Sequence, residues 1–242
     1  MPRRGPPTRP QAVLWDMDGT LVDSEKLWDI SLAELAGELG GELTPSARAA
    51  MVGSNMDRTL DLMFAMLGRS AEPDELAWAT RRLTDRTREL FSAGLPWQPG
   101  AQAALRAVRE AGIAAALVTS THRDLTEVAL RSISPEHFDI TVCGDEVRNP
   151  KPHPEPYLRA AAQLGVDPAA CVAVEDSPTG TTAAVAAGCT VLVVPSEVPV
   201  EPGERRILRK SLVGVNAMML GRLAARRAGQ FVDLLGVTSS DE

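Results

Sequence analysis

Short apolar runs recur along the chain, and stretches with helical spacing separate most of them. Each run is almost continuously apolar, which is typical of strands that are buried on both faces of a parallel sheet. The predicted strands are residues 12–15, 113–118, 138–143, 171–174 and 190–194. The predicted helices between them are residues 101–111, 124–133, 154–164 and 179–187. This alternation predicts an α/β fold with a parallel sheet that helices cover on both faces.

One block interrupts the alternation directly after the first predicted strand. Between residues 24 and 92 the apolar positions follow helical spacing only, and a linker rich in Pro and Gly, residues 93–100, ends the block. The four predicted helices are residues 24–39, a helix from Thr44 onward, 56–67 and 73–91. We interpret residues 23–95 as an all-helical cap domain inserted into an α/β catalytic core of residues 11–22 and 96–200. Hinges are predicted near residues 22–24 and 93–100.

The two ends of the chain are expected to lie outside this core. Residues 1–10 combine Pro, Gly and Arg, and no apolar stretch follows them, so we interpret them as a disordered lead-in and not as a signal peptide. Residues 201–242 are predicted to be a C-terminal extension with a helix at about 217–235. Its basic residues are interpreted as a solvated face and are Arg205, Arg206, Arg209 and Lys210.

Composition and charge narrow the range of partners. The chain has 242 residues and a formal net charge of −7, which argues against a general nucleic-acid binder. No segment approaches the ~18 apolar residues that a membrane-spanning helix needs. Cys143, Cys171 and Cys189 lack metal-binding spacing and imply no disulfide framework, so we expect a cytoplasmic protein. We expect a monomer or a homodimer that acts on a small molecule and binds neither nucleic acid nor membrane.

Polar residues stand near the ends of the predicted strands. In an open parallel sheet ligands bind outside the carboxyl ends of the strands, so residues in these positions should converge on one site. Lys151, in the loop after the predicted strand 138–143, should reach the same edge. The candidate residues are Asp16, Asp18, Thr119, Ser120, Lys151, Glu175 and Asp176. The sequence therefore predicts a single site built from carboxylates, hydroxyls and a lysine.

The carboxylates of this predicted site call for a cation. Two of them would repel each other by roughly 4 kcal/mol at ~4 Å and an effective dielectric constant of ~20. Oxygen ligands favour Mg²⁺, whereas zinc would require a His or Cys cluster that this sequence does not offer. Facing a phosphate, Asp16 could act as a nucleophile, and Asp18 could protonate the leaving oxygen and later deprotonate water. Lys151, the Thr119 hydroxyl and the Ser120 amide could bind the phosphoryl oxygens.

Four motifs in this order resemble those of the haloacid dehalogenase superfamily, specifically its phosphatase-like members with a helical cap after the first strand. The motifs are Asp16-Met17-Asp18-Gly19-Thr20-Leu21-Val22-Asp23-Ser24-Glu25, Leu117-Val118-Thr119-Ser120, Asn149-Pro150-Lys151-Pro152 and Val172-Ala173-Val174-Glu175-Asp176-Ser177. The resemblance covers residues 11–195 and implies a Rossmann-like core.

The resemblance also implies roles for the candidate residues. Asp16 would be the nucleophile, Asp18 the acid/base, and Thr119 and Lys151 the phosphate ligands. Mg²⁺ would be held by Asp16, by the backbone carbonyl of Asp18 and by Asp176. Glu175 would be an outer or alternate acidic ligand of the metal.

The reaction is not fixed by the family alone. Members that cleave carbon–halogen or carbon–phosphorus bonds typically lack an Asp at the position of Asp18, whereas phosphatases and phosphomutases have it. The most similar sugar phosphomutases carry a histidine in the first cap helix, near Trp28 here, and residues 23–95 contain none. We therefore expect a Mg²⁺-dependent phosphatase that forms an aspartyl-phosphate from a sugar phosphate, phosphoglycolate or a nucleotide monophosphate. A phosphomutase and a catalytically silent binding protein are the alternatives, and the intact motifs argue against the silent one.

Substrate choice is expected to come from the cap. In similar proteins the segment between two cap helices, here residues 53–58, faces the catalytic edge. Arg58 could pair with a second anionic group of the substrate. The alternative is an ordinary helix start that Asn55 or Asp57 caps. His122 and Arg123 are further candidates for the rim of the site.

Overall fold

Strands and helices alternate around one sheet in this computed structural model, which describes residues 9–194 and 197–225. The strands are β1 Ala12–Trp15, β2 Ala114–Val118, β3 Ile140–Val142, β4 Val172–Glu175, β5 Thr190–Val193 and β6 Arg206–Leu208. The first five helices are α1 Glu25–Glu38, α2 Pro45–Met51, α3 Met56–Met66, α4 Pro73–Ser92 and α5 Ala101–Glu110. The others are α6 Arg123–Ile133, α7 Glu155–Leu164, α8 Pro178–Ala186 and α9 Ala217–Ala224.

All six strands pair in parallel, in the order β3-β2-β1-β4-β5-β6. β1 lies between β2 and β4, with Leu14 opposite Ala116 and Ala173. The strand order reverses at β1, and such a switch point opens a crevice at the carboxyl ends of the strands. Asp16 follows β1 at this crevice. The predicted α/β fold with a parallel sheet is confirmed.

Successive residues of β1 pack against different helices, since side chains alternate between the two faces of a sheet. On one face, Val13 and Trp15 belong to an apolar cluster that includes Leu105 of α5. On the other face, Leu14 packs in a cluster with Tyr157 of α7. Every residue of β1 is fully buried, which explains why the strand is continuously apolar.

The helices α1 to α4 build an apolar cluster of their own, which includes Leu35, Leu60, Met63 and Leu83, while Phe91 of α4 packs in the cluster of the core. Their chain leaves and rejoins the core through two adjacent segments. The Asp23 N–H donates to the Pro96 carbonyl oxygen at 2.9 Å, and the Gln98 N–H donates to the Leu21 carbonyl oxygen at 2.9 Å. These features support the prediction that residues 23–95 are an inserted helical domain, and we call these residues the cap below.

The sixth strand corrects the sequence-based description of the C-terminal region, in which only a helix was predicted. β6 pairs with β5 and extends the sheet beyond residue 200. Its three residues are only half-buried, so it has no continuous apolar run that the pattern could reveal. Two arginines of the basic cluster support this edge, because Arg205 donates to the Gly188 carbonyl oxygen and Arg206 to that of Glu201.

The ends of the chain are described in part. The predicted helix at 217–235 is observed as α9, and Leu220 and Leu223 bury against the core. Its continuation beyond residue 225 and residues 1–8 of the predicted lead-in lie outside the described residues. No helix in the described part of the chain is long and apolar enough to cross a membrane.

Candidate active site

Asp16 lies just beyond the end of β1, buried in the crevice. Its backbone N–H donates to the Val174 carbonyl oxygen at 3.0 Å, and its side-chain Oδ1 accepts a hydrogen bond from Lys151 Nζ at 2.7 Å. Burial raises the pKa of Asp16 to about 8 despite the opposing effect of Lys151, and the nearby Glu175 carboxylate also raises it. A further positive charge near Asp16 would favour its ionised form.

Asp18 accepts hydrogen bonds on both carboxylate oxygens. Oδ1 accepts from Ser24 Oγ at 2.6 Å and from Trp28 Nε1 at 3.1 Å, both on the cap side. Oδ2 accepts from Thr121 Oγ1 at 2.7 Å and from Thr119 Oγ1 at 3.4 Å, in the loop after β2. These donors hold Asp18 two residues from Asp16, at the junction of core and cap.

Lys151 is buried and uses all three of its donor positions. Nζ donates to Asp16 Oδ1 at 2.7 Å, to Glu175 Oε1 at 2.7 Å and to the Val118 carbonyl oxygen at 2.9 Å. Burial lowers the pKa of Lys151, but the two carboxylates outweigh this effect and raise the pKa above its ordinary value. Lys151 therefore stays protonated and provides a fixed positive charge beside the nucleophile candidate.

Glu175 orients this lysine from the interior of the protein. The same Oε1 that accepts from Lys151 also accepts from the Tyr157 hydroxyl, and Oε2 accepts from Ser177 Oγ at 3.3 Å. Burial raises the pKa of Tyr157 well above its usual value, and the Glu175 charge adds to the effect, so the hydroxyl remains a donor. Gly180 packs directly on the Glu175 carboxyl group, where a Cβ atom would overlap it.

Three buried carboxylates form a group that fits a divalent cation. Asp16, Glu175 and Asp176 each offer an oxygen atom, and these atoms lie within 4.8 Å of one another. The Thr20 hydroxyl donates to Asp176 Oδ1 at 3.1 Å and orients that side chain. The donors are all oxygen atoms, as hard divalent cations prefer, and a cation here would also offset the unfavourable ionisation of Asp16.

A cavity between core and cap joins these groups. Asp16, Asp18 and Lys151 line it from the core, with Thr119, Ser120 and Asp176. The cap lines it with Glu25, Trp28, Leu32, Arg48, Met51, Gly53, Ser54, Met56, Thr59 and Leu83. Ser120 Oγ donates to the Gly53 carbonyl oxygen at 3.3 Å and so links the two sides.

Comparison with known proteins identifies the family. The family described as haloacid dehalogenase-like hydrolase matches residues 13–194. The chain belongs to this family.

Curated relatives and solved structures of the family cover most of the chain. Hexitol phosphatase B of Escherichia coli (strain K12) is 31% identical over 227 residues, covering 93% of this chain and 96% of that protein. The phosphorylated carbohydrates phosphatase of Thermotoga maritima is 34% identical over 179 residues, covering 74% of this chain and 82% of that protein. A structure of a variant of CbbY from Rhodobacter sphaeroides in complex with xylulose-(1,5)bisphosphate is 27% identical, with a TM-score of 0.73. That comparison covers 85% of this chain and 96% of the CbbY chain.

The haloacid dehalogenase-like fold brings most of the sequence-predicted site residues together. Those that line the cavity are Asp16, Asp18, Thr119, Ser120, Lys151 and Asp176, and Glu175 lies behind them. His122 also lines the cavity, whereas Arg123 turns to Glu146 and Thr141.

Arg58, like Arg123, is a predicted residue that the structure does not bring to the site. It is exposed and is not among the residues that line the cavity. Its backbone N–H donates to Asn55 Oδ1 at 3.0 Å, so this segment is the capped helix start given above as the alternative. Met56 and Thr59 of the same helix are buried and face the cavity instead.

Several residues with direct contacts to the site had no signal in the sequence strong enough to single them out. Arg48 is one of several arginines on amphipathic helices, and Thr121 follows Thr119 without a motif of its own. Tyr157 could have been noticed as the single tyrosine of the chain, six residues after Lys151. Glu25 closes the first motif, but its inward orientation depends on how α1 packs.

Proposed function

We propose that the protein is a Mg²⁺-dependent phosphatase that hydrolyses a small phosphorylated metabolite through an aspartyl-phosphate. The observation that carries the proposal is the position of Lys151 Nζ, 2.7 Å from Asp16 Oδ1 and 2.7 Å from Glu175 Oε1, beside the Asp176 carboxylate. This arrangement gives the nucleophile a fixed cation and a group of oxygen ligands for a metal. The phosphatase names of two relatives support it.

Asp16 and Asp18 would divide the chemistry between them. In the first step an Asp16 oxygen attacks phosphorus, and the bond between phosphorus and the leaving oxygen breaks as Asp18 donates a proton to that oxygen. In the second step Asp18 takes a proton from water, whose oxygen attacks phosphorus and releases inorganic phosphate from Asp16. One residue, Met17, separates Asp16 from Asp18, so both carboxyl groups can reach the same phosphoryl group.

The remaining polar groups would hold the phosphoryl oxygens. Lys151 provides positive charge, and Thr119 and Ser120 provide donors at the start of the loop after β2. Asp16, Asp176 and the backbone carbonyl of Asp18 would hold Mg²⁺, with Glu175 kept behind them by Lys151 and Tyr157. Bound there, Mg²⁺ would neutralise charge on the phosphoryl group and on the carboxylates.

Trp28 favours hydrolysis over phosphoryl transfer between sugar positions. It occupies the cap position near which the similar mutases carry a histidine, and it donates to Asp18 at 3.1 Å.

The three cysteines, Cys143, Cys171 and Cys189, are free and buried, which supports the proposal of a reducing, cytoplasmic setting. The expectation of a monomer or homodimer stays a prediction.

The direct test is release of inorganic phosphate from a panel of sugar phosphates, hexitol phosphates, phosphoglycolate and nucleotide monophosphates. We expect release with Mg²⁺ and none after chelation. Interconversion of phosphate positions with little phosphate release would instead identify a mutase. Folded protein that releases no phosphate from any compound would overturn the proposal.

Substitution Asp16→Asn tests the nucleophile. We expect kcat for a generic aryl phosphate to fall by roughly 10³-fold or more, because an amide cannot form the acyl phosphate. Folding should be retained, since Asn is nearly isosteric and avoids burying an ionisable group. Retained turnover in Asp16→Asn, measured beside a matched unfolding curve, would assign the nucleophile to another residue.

A further inference from the structure

Two charged side chains line the cavity from the cap, at least among the residues that the structure describes. Glu25, the first residue of α1, is buried, and Arg48 of α2 has a side chain that is only 13% exposed. Arg48 Nη2 donates to Glu25 Oε2 at 2.5 Å and to the Glu25 carbonyl oxygen at 3.3 Å. Arg48 Nε donates to Asp29 Oδ1. The guanidinium is therefore already shared by two carboxylates.

When Glu25 is ionised, the cluster of Glu25, Asp29 and Arg48 carries a net charge of −1, although only Glu25 and Arg48 of the three line the cavity. On the core side, Lys151 and a divalent cation would offset three of the four negative charges of Asp16, Asp18, Glu175 and Asp176, so the core side has no excess of positive charge to attract a second phosphate. A second phosphate of the same substrate would lie on the cap side, next to Glu25. There it would meet repulsion from Glu25, and the cation that lines the cap side within the described part of the chain, Arg48, is already paired, which disfavours a second phosphate relative to a neutral group.

The same groups suit hydroxyls. A hydroxyl group both donates and accepts hydrogen bonds, so it can donate to a Glu25 oxygen and accept from the Arg48 guanidinium. The Thr59 hydroxyl lines the same wall, and apolar side chains complete it, including Leu32, Met51 and Leu83. The cap side of the cavity thus offers hydrogen-bond donors and acceptors for hydroxyl groups, with apolar surface beside them.

We infer that Glu25 and Arg48 select monophosphates of neutral, hydroxyl-rich compounds and disfavour substrates with a second phosphate. The inference rests on the proposed phosphatase function and specifies its substrate class. It separates two classes of compound that occur among the relatives, the hexitols of the E. coli phosphatase's name and the bisphosphate bound to CbbY. It also replaces Arg58 by Arg48 as the cap arginine closest to the substrate.

The test compares kcat/KM for a hexitol monophosphate and for the bisphosphate of the same hexitol, with saturating Mg²⁺. Burial raises the pKa of Glu25 to about 7 against the lowering effect of Arg48. The assay is therefore run about one pH unit above that value, where most Glu25 is ionised. We expect the wild-type protein to prefer the monophosphate by about tenfold or more, as one unfavourable charge contact in a partly buried site predicts. A wild-type preference for the bisphosphate would overturn the inference.

Single substitutions test whether Glu25 and Arg48 cause the preference for the monophosphate. Glu25→Gln keeps the size and one acceptor oxygen but removes the charge, so it should reduce the preference about tenfold by improving turnover of the bisphosphate. Arg48→Gln should also reduce the preference, because loss of the guanidinium removes the effect that lowers the pKa of Glu25 and so leaves this buried carboxyl group neutral at the assay pH. The matched control is Glu34→Gln, since Glu34 lies on the same helix and pairs with Arg86 away from the cavity wall. An unchanged preference in Glu25→Gln and Arg48→Gln, or an equal change in Glu34→Gln, would overturn the assignment.

An aryl monophosphate distinguishes a failure of the substrate-class inference from a failure of the proposed phosphatase function. It has neither hydroxyls nor a second phosphate, so it reports the core chemistry alone. Its Mg²⁺-dependent hydrolysis together with no selectivity between the hexitol compounds would overturn the inference and leave the phosphatase proposal standing. No hydrolysis of any phosphate ester by folded protein would overturn both.

Discussion

Lys151 is the residue on which the site depends most, and its position is set by a residue that no motif reveals. Glu175 Oε1 accepts hydrogen bonds from both Lys151 and Tyr157, and the Tyr157 ring centroid lies 5.2 Å from Lys151 Nζ. Tyr157 therefore holds Glu175 in the orientation that aims Lys151 at Asp16. It acts through its neighbours and does not line the cavity itself.

Substitution Tyr157→Phe tests this positioning role, since it removes one hydroxyl and keeps the packing. Hydrogen bonds to charged groups contribute about 1.5–3 kcal/mol, so we expect unfolding to become easier by up to that amount. We also expect kcat for an aryl phosphate to fall by about tenfold, and the Mg²⁺ concentration needed for half-maximal activity to change because Glu175 gains freedom. Unchanged kcat and Mg²⁺ dependence with lowered stability would mean that Tyr157 is only a packing residue.

At the same scale, the sequence predicted the residues at strand ends better than those of the cap. The positions of Asp16, Thr119 and Asp176 follow from strand order alone, because parallel strands end at the same edge. The choice between Arg48 and Arg58 depends on which faces of α2 and α3 turn toward the core. Tertiary packing decides which face turns toward the core. A short amphipathic pattern shows that a helix has an apolar face, but it does not show whether that face packs on the core or on another helix of the cap.

Among the elements, α8 shows how a helix start supports the site. Ser177 Oγ accepts from the Gly180 N–H at 3.0 Å and caps the helix, while Glu175 and Asp176 lie just before it. The close approach of Gly180 to Glu175 leaves no room for a side chain. The hydrogen bond from the Gly180 N–H to Ser177 and the close contact between Gly180 and Glu175 together fix the end of β4 against the start of α8.

The variant Gly180→Ala should therefore disturb the site through the helix. Overpacking of this kind costs about 1–3 kcal/mol, and displacement of Glu175 should lower kcat by about tenfold or more. Gly37→Ala is the matched control, because Gly37 is exposed in α1 and has no atoms near the added Cβ. It should stabilise the protein by up to about 1 kcal/mol and leave kcat unchanged. Urea unfolding curves and kcat values of both variants test this prediction. A Gly180→Ala variant with the stability and kcat of the wild-type protein would contradict it.

The existence and type of most elements were predictable, and the exceptions have a physical reason. The buried strands gave continuous apolar runs, and Pro at Pro45, Pro73 and Pro178 marks the first turns of three helices. β6 could not be found in this way. It is a three-residue edge strand that begins with Arg206, and its pairing with β5 is a tertiary contact that no local pattern shows.

For the whole molecule, we expect the group of buried carboxylates to make stability depend on a bound cation. Asp16, Glu175 and Asp176 lie together with Lys151 as their shared positive partner. A ligand that binds only the folded protein stabilises it by about 2.7 kcal/mol at a concentration of 100 times its Kd. We expect Mg²⁺ to raise Tm by roughly 5 °C on this basis.

Asp176→Asn should abolish most of this increase and should raise the Tm of the metal-free protein, because it removes one of the mutually repelling charges. Thermal unfolding with Mg²⁺, with chelator and with KCl at equal ionic strength measures both effects. An equal Mg²⁺-dependent increase in Asp176→Asn would place the cation elsewhere.

The adjacency of the two connections to the cap has a consequence for how this protein could diversify. Val22 and Trp97 pair with each other as the chain leaves and re-enters the core, and the backbone contacts of Asp23 and Gln98 flank that pair. The chain therefore leaves and re-enters the core at adjacent positions, as it would at the two ends of a short turn. An insertion of a different length or shape could be exchanged at this point with little change to the strands. A lineage could thus acquire new substrates by replacing one segment, and it would keep the reaction where the replacement still supplies donors to Asp18 as Ser24 and Trp28 do here.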